Sequence, residues 1–245
     1  MFIEPNFIWN GIHSEDKFLT IVTTDNEIVN DIGIPYSKTL NKEEGFDIFT
    51  EEDSDTEEIV LNLCLEKDGI PIEWSPEIFN DIKNWLCTDD FGEFISMDNP
   101  NYIYYFKCTR IQKKFTFNNE GWIEVTFKPL NHYAYKRVII EKEVRGKEII
   151  SINNECNIEY APFIKIENLC KNSRQIKVND LIISDIDPYE IVKIDNHMFT
   201  VLNGNDEDIF YKCNREWITL KEGENQIVVE GDCNITIRCE FPNII

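Results

Sequence analysis

The stretch Ile235-Thr236-Ile237-Arg238-Cys239-Glu240-Phe241 decides the fold class of this chain. Its apolar residues recur at every second position, which is the period of a β-strand with one buried face. Upstream, from Val138 onward, similar short runs are separated by Asn, Asp and Gly. These runs predict strands at 163–166, 175–178, 181–183, 189–194, 199–202, 209–211 and 227–229. Regular short strands joined by turn residues predict a β-sandwich or a barrel.

The first half of the chain is also rich in β-forming residues, but its runs are longer and more aromatic. An apolar run at 7–12 is interrupted by Asn10-Gly11, a strong signal for a tight turn. Further strands are predicted at 18–23, 59–65, 102–108 and 121–127, and the 59–65 strand is expected to be covered on both faces.

One helix is predicted after Ser75. Ser75 is a favourable N-cap, and Pro76 suits the first helical turn. The apolar stripe of this helix consists of Ile78, Ile82, Trp85 and Leu86, and the helix should end near Thr88. Because the composition changes near residue 135, we predict two domains, 1–135 and 136–245.

The charge balance excludes two classes of partner. The chain has 46 Asp and Glu against 24 Lys and Arg, a formal net charge of -22. Such a polyanion repels nucleic-acid phosphates and anionic membrane surfaces. No apolar run reaches the roughly 18 residues of a membrane span, and residues 1–5 lack the features of a secretory signal. Synthesis in the cytoplasm is therefore expected.

No catalytic residue, metal site or cofactor is predicted. The nucleotide-binding, hydrolase and zinc-protease motifs are absent, and there are only three histidines, His13, His132 and His197. The acidic run at 51–58 lacks the glycine of a calcium-binding loop, since Glu58 occupies that position. We expect a protein that is not an enzyme.

Two other classes remain open at this point. A carbohydrate-binding module without catalysis would require an exposed aromatic platform, for which Trp217 is the candidate, although packing is the favoured role of this residue. A glycoside hydrolase would require two facing carboxylates in a cleft, and the many carboxylates of the chain prevent any single pair from standing out.

The order of features resembles the distal tail protein (Dit) family of long-tailed bacteriophages. The segments that carry the resemblance are Asn10-Gly11, Asn84-Trp85-Leu86, the tyrosine-rich 102–106, 121–129 (GWIEVTFKP) running into 133–135, and 220–227. The chain departs from the family at Glu222, where a proline is usual. It also departs at Phe127-Lys128-Pro129-Leu130, where the family usually has a cysteine or similar residue before a proline-tyrosine pair.

The resemblance implies an N-terminal split-barrel belt domain with one short helix and a β-hairpin arm, followed by a C-terminal galectin-like β-sandwich. It also implies a hexameric ring in the baseplate at the virion tail tip, acting as a hub between the tail tube protein and the tail-associated tip protein or lysin. The hairpin arm would fall at 35–58. Phe46, Ile48 and Phe49 are therefore candidates for contact between subunits, with burial in their own domain an equal alternative.

The eight cysteines are expected to be reduced thiols, because they are scattered at mostly apolar positions and no CxxC pair occurs. Thiol titration of the unfolded protein without reductant should therefore recover nearly all eight. Recovery of half or fewer would contradict this expectation.

Overall fold

The computed structural model describes residues 4–22, 57–116, 119–170 and 174–243. The contacts of these residues divide the chain into two compact units, with Tyr135 in the N-terminal unit and Lys136 in the C-terminal unit. Both units are built from antiparallel strands, and the mainly β fold predicted from the sequence is confirmed. No helix of the described residues is long and apolar enough to cross a membrane.

The N-terminal unit is a curled antiparallel sheet. Its strands are β1 Phe7–Trp9, β2 Ile12–His13, β3 Leu19–Ile21, β4 Ile59–Lys67, β5 Ile70–Pro71, β6 Gly92–Ser96, β7 Tyr102–Phe115 and β8 Gly121–Pro129. They follow the order β2-β1-β6-β7-β8-β4-β3, and β5 pairs with β4. The Ile21 N–H at one edge donates to the Pro5 carbonyl beside the other edge at 2.8 Å. The sheet therefore bends far enough for its two edges to meet.

The predicted helix is confirmed as α1, Pro76–Leu86. The Ser75 hydroxyl accepts a hydrogen bond from the Ile78 N–H at 3.2 Å, which satisfies one of the free donors of the first turn. Ile82 and Leu86 of the predicted stripe are fully buried. The Trp9 indole N–H of β1 donates to the Trp85 carbonyl, so the end of α1 is fixed to the sheet.

Aromatic rings fill the core of the N-terminal unit. Phe94 lies 5.3 Å from Phe7, 5.1 Å from Phe106 and 6.3 Å from Phe127 between ring centroids, and all four rings are buried. Such pairs add to the stabilisation by area burial when the rings are offset or tilted, as here. In β4 only one face is fully buried, whereas Val60, Asn62 and Cys64 are half-buried. The coverage predicted for both faces of this strand is therefore complete on one face and partial on the other.

The C-terminal unit is a β-sandwich. The strands that form it are β9 Ala134–Val144, which enters this unit at Lys136, β10 Lys147–Asn154, β11 Phe163–Asn168, β12 Ile176–Val178, β13 Leu181–Ile183, β14 Ile191–Asp195, β15 Thr200–Asn203, β16 Gly223–Glu230 and β17 Cys233–Asn243. One sheet has the order β15-β14-β11-β17-β9 and the other has the order β10-β16-β12-β13. Ile235, Ile237, Cys239 and Phe241 are buried on one face of β17, as their alternation predicts.

One predicted strand of the C-terminal unit is wrong. Phe210–Lys212 forms a 3₁₀ turn instead of a strand over 209–211. The Asp208 carboxylate accepts a hydrogen bond from the Phe210 N–H at 2.8 Å, and the Lys212 N–H donates to the Ile209 carbonyl. These short-range bonds replace a strand ladder after Ile209, because an Asp side chain competes locally for backbone donors.

Glu240 is a buried carboxylate in β17. Its side chain is 2% exposed and lies 2.7 Å from the Arg137 guanidinium, and it also contacts Arg238. The Glu240 N–H donates to the Tyr160 hydroxyl at 2.9 Å, and burial raises the pKa of that hydroxyl. A buried carboxylate is tolerated only when it is paired in this way.

The Glu240→Gln variant should destabilise the C-terminal unit by about 2 kcal/mol, because it leaves two guanidinium groups without their shared carboxylate. Glu148→Gln is the matched control, since Glu148 is 42% exposed in a surface pair with Lys142 and should change stability by about 0.5 kcal/mol or less. Urea unfolding of both variants would measure the difference. Equal stabilities would contradict the structural role of the Glu240 cluster.

Candidate interaction surfaces

The described residues provide no assembled site for metal chemistry. No group of three or more His, Cys, Asp or Glu side chains among them could hold a metal ion. His13 is exposed in β2, His132 precedes β9, and His197 lies in the turn between β14 and β15. The predicted contact residues Phe46, Ile48 and Phe49 lie outside the described residues, as does most of the acidic run 51–58.

The β7–β8 hairpin, residues 102–129, carries a positive charge in an otherwise acidic chain. It contains five cations, Lys107, Arg110, Lys113, Lys114 and Lys128, and two carboxylates, Glu120 and Glu124. The remaining described residues of the N-terminal unit contain fourteen carboxylates and three cations, Lys17, Lys67 and Lys83. The N-terminal unit is therefore electrically polar, with the hairpin as its positive region.

Three cations of the hairpin are exposed in the outer half of β7, and each has a different environment. Lys113 lies over the Phe79 ring, with its ammonium 3.8 Å from the ring centroid. Lys114 pairs with Glu124 at 3.4 Å across the ladder to β8. Arg110 is exposed and has no carboxylate partner among the described residues. Arg110 and Lys114 are therefore available to a partner without disturbing the core, whereas Lys113 helps to cover the end of the aromatic core.

The side-chain directions of the hairpin follow from its register. Lys113 is opposite Ile123 on the core side, and Lys114 is opposite Trp122 on the outer side. A β-bulge between Cys108 and Arg110 inserts Thr109 into β7. Such a bulge bends the strand and increases its twist, so it changes the direction of β7 after Thr109. The sequence alone shows Lys113-Lys114 as a basic pair, but only the pairing with β8 shows that five cations share one hairpin.

A second surface is the aromatic cluster of the C-terminal unit, defined by Phe199, Phe210 and Trp217. The Phe199 and Trp217 rings meet edge to face at 5.3 Å, and the Phe210 and Trp217 rings are stacked at 5.9 Å. The Arg215 guanidinium lies 5.0 Å from the Phe210 centroid. Phe199 is 59% exposed, and the neighbouring Tyr211 is 79% exposed.

A buried asparagine holds this cluster in place. The Asn196 side chain is almost fully buried, donates to the Pro162 carbonyl at 2.7 Å and accepts from the Ile218 N–H at 2.9 Å. Asn196 thus joins the turn that carries Phe199 to the segment that carries Trp217. Sequence reasoning missed this residue, because an asparagine beside Asp195 reads as a turn residue whether its side chain is buried or exposed.

Trp217 does not have the form of a sugar platform. A pyranose ring needs a free, flat aromatic face, whereas the Trp217 ring is half-buried and packed by Phe199 and Phe210. The packing role expected for Trp217 from the sequence agrees with this geometry. The two surfaces differ in chemistry: one is cationic and extended, and the other is aromatic and held by buried hydrogen bonds.

The described residues thus form an antiparallel β fold of two units with one cationic and one aromatic surface. No protein-family model matches the sequence. The chain is 22% identical over 255 residues to the SPbeta prophage-derived uncharacterized protein YomH of Bacillus subtilis, and the alignment covers 96% of each chain.

The solved structures give the fold comparison. The chain is similar to the Dit protein (gp 19.1) of phage SPP1, described as a paradigm of the hub adsorption apparatus in phages that infect Gram-positive bacteria. The match has a TM-score of 0.55 at 13% identity and covers 96% of this chain and 98% of the SPP1 protein. The predicted resemblance to a Dit fold is therefore confirmed at the level of the fold.

Because the ring of Trp217 is packed on its neighbours, the protein should show no saturable binding of simple galactosides up to millimolar concentrations. Titration of the full chain, followed by calorimetry or by NMR of the tryptophan indole signals, would measure this. Saturable shifts centred on Trp217 would favour the carbohydrate-binding alternative instead.

Proposed function

We propose that this protein is a non-enzymatic structural component of a bacteriophage tail tip, where it forms a ring that acts as a hub. The observation that carries the proposal is the whole-chain similarity in fold to the SPP1 Dit protein. The prophage origin of YomH supports the same assignment. The proposed location is the virion tail tip, after synthesis in the host cytoplasm.

A ring of identical subunits is held by head-to-tail contacts. In each contact, one surface of a subunit meets a different surface of the next subunit, so every subunit needs both surfaces. The N-terminal unit offers such a pair in electrostatic terms. Its cationic β7–β8 hairpin is complementary to the acidic remainder of the same unit in a neighbouring copy. We therefore assign the hairpin to the subunit interface, together with the predicted contact residues Phe46, Ile48 and Phe49.

The charge of the chain sets the conditions for assembly. Subunits with a formal charge of -22 repel one another over distances of many ångströms. Screening at about 0.15 M salt shortens this repulsion to about 8 Å, whereas ion pairs in direct contact are weakened less. The ring should therefore form more readily at moderate salt than at low salt. The C-terminal unit, residues 136–245, is proposed to remain monomeric when isolated, and residues 1–135 are proposed to suffice for the ring.

The neighbours in the proposed assembly are the tail tube protein on one side and the tail-associated tip protein or lysin on the other. The tube is a cyclic assembly, so a hub that joins it needs matching symmetry, and about six copies are proposed on the basis of the family resemblance. The aromatic cluster around Trp217 is a further surface for protein contacts, since exposed, rigid aromatic side chains are enriched at such interfaces.

Size-exclusion chromatography with light scattering should show the full-length protein, whose protomer mass is 28.9 kDa, as a species of about six protomers at moderate salt. Replacing Arg110 and Lys114 together with Glu should shift the species toward monomer, because like charges would then face each other across the interface. Serine at Phe46, Ile48 and Phe49 should weaken the ring in the same way.

The control for the charge reversal is replacement of Lys142 and Lys147 with Glu. Both lysines are exposed in surface pairs of the C-terminal unit, and the variant has the same change in net charge. Circular dichroism would establish that every variant is folded. A monomeric full-length protein at high concentration and moderate salt would contradict the ring, and equal effects of the two charge reversals would contradict the hairpin assignment.

A further inference from the structure

Two cysteines of the N-terminal unit are in contact although they are separated by twenty residues of sequence. The Cys87 Sγ lies 3.5 Å from the Cys108 Sγ, and the Cys87 thiol donates to the Cys108 sulfur. Cys87 directly follows α1, where its N–H donates to the Lys83 carbonyl. Cys108 lies in the middle of β7, next to the β-bulge at Thr109. The contact thus joins the end of the helix to the sheet.

The two thiols differ in accessibility. Cys87 is exposed, whereas Cys108 is 8% exposed. Burial, followed by the proximity of Cys87, raises the pKa of the Cys108 thiol to about 12. An oxidant in solution therefore meets Cys87 first, and Cys108 is shielded from direct reaction. In such a pair the exposed thiol reacts first with the oxidant, and the buried thiol then displaces the bound group to form a disulfide.

The distance is within reach of a covalent bond. A disulfide requires a sulfur–sulfur distance of about 2.05 Å, so the sulfurs must approach by about 1.5 Å. Both cysteines lie where the regular backbone hydrogen bonding is interrupted, so a shift of this size is compatible with the fold. Cys87 is the first residue after the helix and precedes a segment without regular structure up to β6. Cys108 adjoins the one irregularity of the β7–β8 ladder, where Thr109 is inserted.

We propose that Cys87 and Cys108 are an oxidation site that closes an intrachain disulfide between the end of α1 and β7. The co-reactant is a small-molecule disulfide, such as oxidised glutathione. The Cys87 thiolate attacks one sulfur of this reagent and forms a mixed disulfide with it. The S–S bond of the reagent breaks, and its other sulfur leaves as a thiolate that takes up a proton. The Cys108 sulfur then attacks the Cys87 sulfur, loses its proton and expels the second reagent thiol. Two protein thiols are oxidised, and one reagent disulfide is reduced to two thiols.

The disulfide would restrict the unfolded chain more than the folded one. It would close a loop that contains all of β6, the strand that joins β1 to β7. Closing such a loop stabilises a protein mainly by lowering the entropy of its unfolded state. A protein that leaves a reducing cytoplasm would gain this stabilisation without any change in its fold. The oxidation itself does not depend on the proposed function, and it is tested independently of ring formation.

The experiment uses the full-length reduced protein and oxidised glutathione at mildly alkaline pH. After alkylation under denaturing conditions, mass spectrometry should show six modified thiols instead of the eight of the reduced chain. Peptide mapping should find the Cys87–Cys108 cross-link, and the thermal midpoint of the oxidised protein should rise and return on reduction. Cys87→Ser is the decisive variant, because its exposed position lets it fold, and it should show neither the cross-link nor the rise.

Cys64→Ser is the matched control, since Cys64 is a half-buried cysteine of the same unit and its loss should leave the cross-link intact. Eight alkylated thiols after oxidation would overturn the proposal. So would a stable glutathione adduct on Cys87 without a cross-link, a bond between other cysteines, or a disulfide that links two chains on a non-reducing gel.

Discussion

The backbone ladder of the antiparallel sheets is the constraint on which the rest of this structure depends. Each strand must pair its N–H and C=O groups with a neighbour, and this pairing fixes side chains to alternate faces. In β17 the alternation places Ile235 and Ile237 in the core of the sandwich. In β8 the same rule places Ile123 and Val125 inside while Glu124 remains on the outer face with Lys114. The ladder thus determines both the core and the chemistry of the surface.

The same rule explains how far the sequence could predict the fold. Strands whose apolar residues alternate strictly, such as β17, and the helix with its Ser75 cap were predictable from local signals. β9 and β10 were not identified from the sequence. β9 carries a dense set of charged residues at 136–143, and long-range pairing, which includes β17, makes it a strand. Residues 209–211 are predicted as a strand from their hydrophobic pattern. That pattern does not reveal the hydrogen bond that the Asp208 carboxylate accepts from the Phe210 N–H.

The candidate surfaces could be predicted only in part for a related reason. Phe46, Ile48 and Phe49 are expected contact residues because they are apolar within a charged segment that matches the place of the hairpin arm in the Dit family. The cationic hairpin depends on pairing, since the β7–β8 register places Lys107 opposite Lys128 although the two are far apart in the chain. Asn196 is similar, because its burial follows from the positions of Pro162 and Ile218, which are distant in sequence.

The polarity of the N-terminal unit links the fold to assembly. A chain with an excess of carboxylates gains solubility but loses attraction between copies, so a cluster of cations at the contact surface would favour the proposed self-assembly. The β7–β8 hairpin has such a cluster on β7, the strand that also contains Cys108 in contact with Cys87. A covalent tie at this point would fix α1 to the strand that bears Arg110 and Lys114, and Lys113 already joins the two through the Phe79 ring of α1. The α1 region and β7 are therefore linked by two contacts close to the exposed cations. If the proposed disulfide forms, it would make the surface proposed for self-contact more rigid.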